Sequence, residues 1–254
     1  MKQSVKLAAI LKECDRVLKP GTFVDYERAV NGLQVENTGI VTKMAAAVDG
    51  TLATLKMAVA AKADLLLVHH GLFWSSTIPW TGNRYRMLQL LLQNNLAVYS
   101  CHLPLDAHPV LGNNAQLATQ LGFKKLKPFF FEKGNSLGFK TNTIIRRAEL
   151  ARKLELALTH PAILLPGGPE ICRRIGIVSG SAGAQLKQAL DEGVDTLITG
   201  EGPHWTHAMA EDLGMNVFYG GHYSTETFGV KALASHLAKK FHLEWCFLDH
   251  PSGL

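Results

Sequence analysis

The chain has 254 residues, 47% hydrophobic and 19% charged, which excludes a disordered protein and supplies a core for one large domain or two small ones. Its 26 basic and 21 acidic residues leave a formal charge of +5. The densest basic groups, Lys124-Lys125-Leu126-Lys127, Arg146-Arg147, Arg173-Arg174 and Lys239-Lys240, carry no interleaved aromatics, so they read as solvated surface and argue against DNA binding, with room left for an anionic ligand.

Cys14, Cys101, Cys172 and Cys246 form no CxxC pair, so neither a zinc ribbon nor a disulfide framework is expected. The first residues lack the apolar core of a signal peptide, and no apolar run is long enough to span a bilayer. These features predict a cytoplasmic protein without membrane association.

In chain order, Val5, Ala8, Leu11, Val17 and Leu18 follow a helical period that Pro20-Gly21 ends. Residues 44–48 read as a buried strand closed by Asp49-Gly50, and Thr51 caps a helix to about Ala61. Residues 65–68 form a second buried strand, with His69-His70-Gly71 at its end. A helix over 84–93, a strand over 96–101 and a helix over 113–121 follow, the last ended by Gly122. This alternation predicts parallel βαβ units.

The middle changes character. Residues 129–131 and 137–143 flank Glu132-Lys133-Gly134-Asn135 as a hairpin. A helix over 148–158 leads to a connection over 161–169, rich in Pro and Gly around a short apolar run. The strand–helix rhythm then resumes, with strands at 175–178, 196–198, 217–219 and 243–248 and helices at 184–190, 206–213 and 225–240. The expected fold is α/β, with two α/β domains of similar rhythm, the first spanning 1–125 plus 221–254 and the second 126–220.

In open α/β sheets, ligands bind beyond the carboxyl ends of the strands. Four polar clusters fall at such ends. His69 and His70 could turn toward one site, or could be a strand-end pair bonded to backbone. Pro104 sets an extended or turning path from His102 to Asp106, although Asp106 could equally be a turn residue. His222 and Glu226, four apart, can converge on one helix face; a capping arrangement accounts for Glu226 but not for His222. The fourth cluster, Thr199-Gly200-Glu201 with His204 and His207, offers acid–base or substrate groups, or merely starts a surface helix.

Imidazoles and carboxylates together suit Zn, Fe, Mn or Ni. Five ligands exceed the needs of one ion, so two divalent ions per chain are expected, bridged by Asp106 or Glu226 and by a water that becomes a hydroxide nucleophile. The run Val178-Ser179-Gly180-Ser181-Ala182-Gly183 joins a strand to a helix. Gly180, Ser181 and Gly183 could present backbone N–H groups to phosphate, or form an ordinary turn; no Walker motif is present.

Val68-His69-His70-Gly71, His102-Leu103-Pro104-Leu105-Asp106, Gly112-Asn113-Asn114 and Gly221-His222-xxx-Glu226 resemble the dinuclear-metal proteins known as GTP cyclohydrolase I type 2 homologues, or Nif-three-like proteins. Asn31-Gly32-Leu33-Gln34-Val35 matches as well, and the likeness runs from about Asn31 through the last helix. The chain has no room for the extra middle domain of some relatives, so it is similar to the short form.

The resemblance implies metals in a cleft between two α/β domains, with His69, His70, Asp106, His222 and Glu226 as ligands. It also implies a homohexamer. His102 is expected to hydrogen-bond a ligand from outside the metal sphere. The implied activity is hydrolysis of a phosphate-bearing or heterocyclic substrate, such as the nucleotide GTP, through metal-bound hydroxide, with Glu226, His204 and His207 as catalytic candidates. A non-enzymatic metal-binding or regulatory protein would use the same ligands.

Overall fold

A computed structural model describes residues 3–74 and 79–254. Two compact units emerge, 1–105 with 229–250 and 106–228 with 251–254. The helix Asn113–Gln120 packs on the strand Asn135–Arg146 and so falls in the second unit, although the sequence reading placed it in the first domain.

The first unit is built on a five-stranded sheet in the order Glu244–Phe247, Lys43–Asp49, Leu65–His70, Ala97–Ser100, Gly32–Val35. The first four are parallel and Gly32–Val35 is an antiparallel edge. Met44 through Val48 and Leu65 through Val68 are buried without alternation. Strands covered on both faces need apolar residues at every position, which is why these runs are continuous.

Thr51 starts the helix Leu52–Ala60 with a reciprocal cap: its Oγ1 accepts from Thr54 N (3.2 Å), and Thr54 Oγ1 accepts from Thr51 N (2.9 Å). The strand Leu65–His70 continues through both histidines, further than the apolar run alone predicts. Pro104 lies in a helical turn, Leu103–Asp106, so of the extended and turning paths open to it the chain takes the turning one. Proline is tolerated in a helix's first turn, where its missing N–H has no partner to lose.

The second unit holds a six-stranded sheet in the order Lys127–Glu132, Asn135–Arg146, Ile171–Ile177, Thr196–Thr199, Asn216–Tyr219, Ile163–Pro166. Its three central neighbours are parallel and its flanks antiparallel. The expected hairpin is present, with Lys133 (φ 50°) and Gly134 (φ 80°) in the left-handed conformation that two-residue turns require.

Ile163–Pro166, read from sequence as part of a connection, is an edge strand, the one place in a sheet that tolerates proline. The helix expected at 184–190 is a 3-10 turn, Ala182–Gln185, followed by a short α-helix, Leu186–Asp191. The last helix begins at His222 and runs to Phe241. Among the described residues no helix is long and apolar enough to cross a membrane.

Candidate metal centre

In the first unit, parallel strands Leu65–His70 and Ala97–Ser100 deliver His69, His70 and His102 together at their carboxyl ends. One nitrogen of each lies within 4.8 Å of the others. His69 is fully buried, and His102 is 7% exposed. Each ring is aimed by its Nδ1. His69 Nδ1 is 2.9 Å from Cys101 O, His70 Nδ1 is 2.8 Å from Asp49 Oδ1, and His102 Nδ1 is 2.8 Å from Asp25 Oδ1. A carbonyl and ionised carboxylates can only accept, so Nδ1 carries the proton in every case. In the neutral ring, Nε2 then keeps its lone pair.

Asp25 stays ionised despite its surroundings. Burial alone would raise its pKa, but the bonds from His102 and Asn31 outweigh burial and hold the carboxyl below its ordinary value. The Asn31–Val35 stretch now has a physical role. Asn31 Oδ1 accepts from the His102 backbone N (2.7 Å), and its Nδ2 donates to Asp25 (2.8 Å). Gln34 Oε1 accepts from Leu72 N (2.6 Å) directly after the histidine strand. A Cβ on Gly71 would sit 2.2 Å from the Gln34 side chain, so a larger residue there would push the Gln34 amide from its place beside Leu72. Trp74 meets His102 edge-on at 4.6 Å between ring centroids.

In the second unit, Asp106 is buried, and its Oδ1 accepts from Asn113 Nδ2 (2.8 Å) and Ser179 Oγ (2.9 Å). Asn114 Oδ1 accepts from Ser179 N (2.6 Å), which ties the Asn113–Gln120 helix to the loop after Ile171–Ile177. Glu226, also buried, places Oε1 3.2 Å from His222 Nε2, and His222 Nδ1 is 2.7 Å from Glu201 Oε1. Burial lowers the His222 pKa, but the two carboxylates more than offset it and push the value up to about 9. The imidazole therefore holds positive charge at neutral pH, and a cation entering at Nε2 must displace a proton.

The loop read from sequence as a phosphate site spends several of its N–H groups within the fold. Gly180 N donates to Thr225 Oγ1, Ala182 N to Thr199 Oγ1 and Gly183 N to Glu201 O, and Ser179 N is taken by Asn114. Donors bonded within the fold cannot also cradle an anion. Gly180 is also closely packed: at φ +70°, a Cβ there would lie 2.6 Å from Glu226 Oε1. Its missing side chain lets Glu226 lie against the loop.

His204 and His207 are exposed, and His207 pairs with Glu211 at 4.0 Å. Among the described residues neither makes a hydrogen bond or ion pair with Asp106, Glu201, His222 or Glu226. His102, expected to hydrogen-bond a ligand from outside the metal sphere, has its own Nδ1 oriented by Asp25, as His70 has by Asp49. Sequence reasoning gave Asp25 no role, read Asp49 only as the end of a strand, and read Ser179 only as part of a strand-to-helix run.

The family model described as Duf34/NIF3 (NGG1p interacting factor 3) matches residues 5–252. A protein of Deinococcus radiodurans named "GTP cyclohydrolase 1 type 2 homolog" is 40% identical, over 93% of this chain and 90% of its own length. One of the same name from Archaeoglobus fulgidus is 38% identical over 98% of this chain and all of its own. Among solved structures, TTHA1606 from Thermus thermophilus superposes with a TM-score of 0.90 at 38% identity, covering 98% of this chain and 100% of that one. Reduced HcgD from Methanocaldococcus jannaschii gives 0.86 at 26% identity, covering 97% and 99%.

Proposed function

The chain belongs to the Duf34/NIF3 family, and from that premise we propose that it is a metal-dependent hydrolase acting on a phosphate-bearing molecule, a nucleotide such as GTP. One observation carries the metal reading. The imidazoles of His69, His70 and His102 are each aimed by an oxygen at Nδ1, which turns Nε2 the other way, and His222, aimed likewise by Glu201, turns Nε2 toward Glu226 at 3.2 Å. Metal-binding histidines are oriented by such outer partners, and a merely structural histidine has no need of the pattern four times over.

The donor set fits two divalent ions of the Zn, Fe, Mn or Ni type. His69, His70, Asp106, His222 and Glu226 would hold them, and His102 would join as a further nitrogen donor, because it is oriented like its neighbours. Either buried carboxylate has the two oxygens a bridge needs. When bound, the ions supply Lewis-acid polarisation and activation of water. The chain's own residues do the rest. Asp25, Asp49, Glu201 and the Cys101 carbonyl fix the rings. Trp74 shields one side of His102 from water.

Glu201 also lines a cavity of about 460 Å³ with Tyr219, Tyr223, His160 and Ser224, a volume within the usual range for small-molecule sites. The nucleotide assignment draws on the printed name of the relatives. Assembly as a homohexamer belongs to the same proposal, and light scattering at the mass of a single chain would overturn it.

The test is hydrolysis of a nucleotide panel by wild type and Glu226→Gln, each with its metal content measured. The variant keeps shape but loses the charge, so turnover should fall at least about 100-fold while stability changes little. Equal rates would place the activity elsewhere. No turnover by fully metallated wild type would leave a metal-binding protein without catalysis.

A further inference from the structure

Two basic runs far apart in sequence meet in the second unit. Lys125 and Lys127 line a cavity of about 410 Å³ together with Lys140 and Arg174. Lys127 and Lys140 stand directly opposite each other on antiparallel strands, where like charges repel. Lys125 takes a left-handed backbone, φ 54°, which residues with a Cβ adopt only at a cost. Thr141 Oγ1 donates to Lys124 O (2.7 Å) and fastens the basic run to the strand Asn135–Arg146.

Nearby acids offset this concentration only in part. Glu192, the one carboxylate among the described lining residues, already accepts from Phe130 N (2.6 Å), Phe131 N (2.9 Å) and Gln188 Nε2 (3.0 Å). Asp195 accepts from the backbone N of Arg173 (3.3 Å) and Arg174 (3.1 Å) as well as from Arg174 Nε (3.3 Å). Arg174 is shared with an adjoining cavity of about 880 Å³, which Arg173 also lines. Three lysines and Arg174, which is paired with Asp195, thus line a cavity whose walls are partly exposed and whose acids are fewer than its cations, and the remaining repulsion falls when an anion enters.

We propose that this cavity binds a small anion carrying several phosphate groups. Ammonium and guanidinium groups match phosphate oxygens in charge and in donor geometry. Gly193, whose missing Cβ would meet nothing within 4 Å, leaves room at the wall. No aromatic side chain is among the described lining residues, so a nucleic-acid base has no stacking partner there. The cavity lies where Glu192 and Gly193 lead into the strand Thr196–Thr199. Glu201 and His222 follow the opposite, carboxyl ends of the parallel strands. It is therefore a separate site and does not depend on the metal proposal.

The test is calorimetric titration of the full chain with tripolyphosphate, near physiological ionic strength. Lys125→Gln with Lys127→Gln removes two cations from the cavity, and Lys12→Gln with Lys56→Gln removes two exposed ones from the other unit. Wild type should saturate, the cavity variant should bind at least about tenfold more weakly, and the control should match wild type. Equal affinity in all three, equal weakening of both variants, or no saturation by wild type would overturn the proposal. A GTP arm separates the sources: affinity equal to or below that of tripolyphosphate identifies the phosphates alone as the ligand, whereas tighter binding, which needs a nucleoside contact this lining does not offer, would overturn the proposal. Duplex DNA that displaces tripolyphosphate with higher affinity would replace it with a nucleic-acid surface.

Discussion

Replacing Gly180 with alanine tests how closely the loop and Glu226 fit. The left-handed backbone at φ +70° carries a strain of about 1–2 kcal/mol for any residue with a Cβ. The new methyl would also lie 2.6 Å from Glu226 Oε1, so the carboxylate must retreat by about 0.8 Å to reach the 3.4 Å of ordinary contact. Neither side gives easily. Gly180 is held through its N–H to Thr225 and through its carbonyl, which accepts from Gly200 N (2.8 Å) and Glu201 N (2.9 Å), and Glu226 is 3% exposed.

The total loss should be about 2–3 kcal/mol in urea unfolding of metal-free protein, strain and overpacking together. Metal affinity, from competition with a chromophoric chelator, should fall about 10–100-fold, because sites of this kind tolerate displacements of only about 0.5 Å. Gly214→Ala is the control. Its φ is +64° and nothing lies within 4 Å of the added Cβ, so it should show the strain alone, about 1–2 kcal/mol, and full metal affinity. Wild-type metal affinity in Gly180→Ala would refute the claim that Glu226 holds metal from the position this loop sets.

Glu13 joins the helix Leu7–Leu18 to the end of His222–Phe241. It is 4% exposed and bonded by Arg16 (2.7 and 2.8 Å), His236 (2.7 Å) and Lys240 (2.6 Å). Because those partners are partly exposed, Glu13→Gln should cost about 1–3 kcal/mol at neutral pH, below the range for a fully buried pair. The bond from Arg16, above all, holds the Glu13 carboxyl far below its ordinary 4.5, so its contribution is complete above that value and is lost as pH falls further. The stability gap between wild type and Glu13→Gln in urea should thus narrow steadily below pH 4.5, and a gap independent of pH would contradict the reasoning. For His102, Asp25→Asn should weaken metal binding about 10–100-fold with both ions still able to bind, whereas His102→Ala should empty one position. If His102→Ala keeps both ions in metal analysis, His102 is an outer partner after all.

Much of this architecture can be read from local pattern. The continuous apolar runs 44–48 and 65–68 mark strands buried on both faces, and the clusters at His69-His70, His102 and His222 stand at strand ends in plain view. What stays hidden is long-range. Asp25 lies 77 residues from the ring it aims, and Asp49 lies 21 from His70. A lone aspartate in a loop has no local signature for that task. Ile163–Pro166 looks like a connection because proline and glycine crowd it, and only the neighbouring Asn216–Tyr219 makes it a strand. The glycines after Ile177 carry the same pattern as a phosphate loop, but Asn114, Thr225 and Thr199 arrive from elsewhere and take three of its N–H groups. Local composition cannot show which donors the rest of the fold will occupy.

The central claim is a pair of metal ions held by residues spread from His69 to Glu226. Elemental analysis of protein metallated to saturation and freed of loose ions tests it directly, with wild type and Asp106→Ala side by side. Two divalent ions per chain in wild type, with at least one lost in Asp106→Ala, is the predicted result. Saturation of wild type at a single ion, or two ions retained by Asp106→Ala, would contradict it.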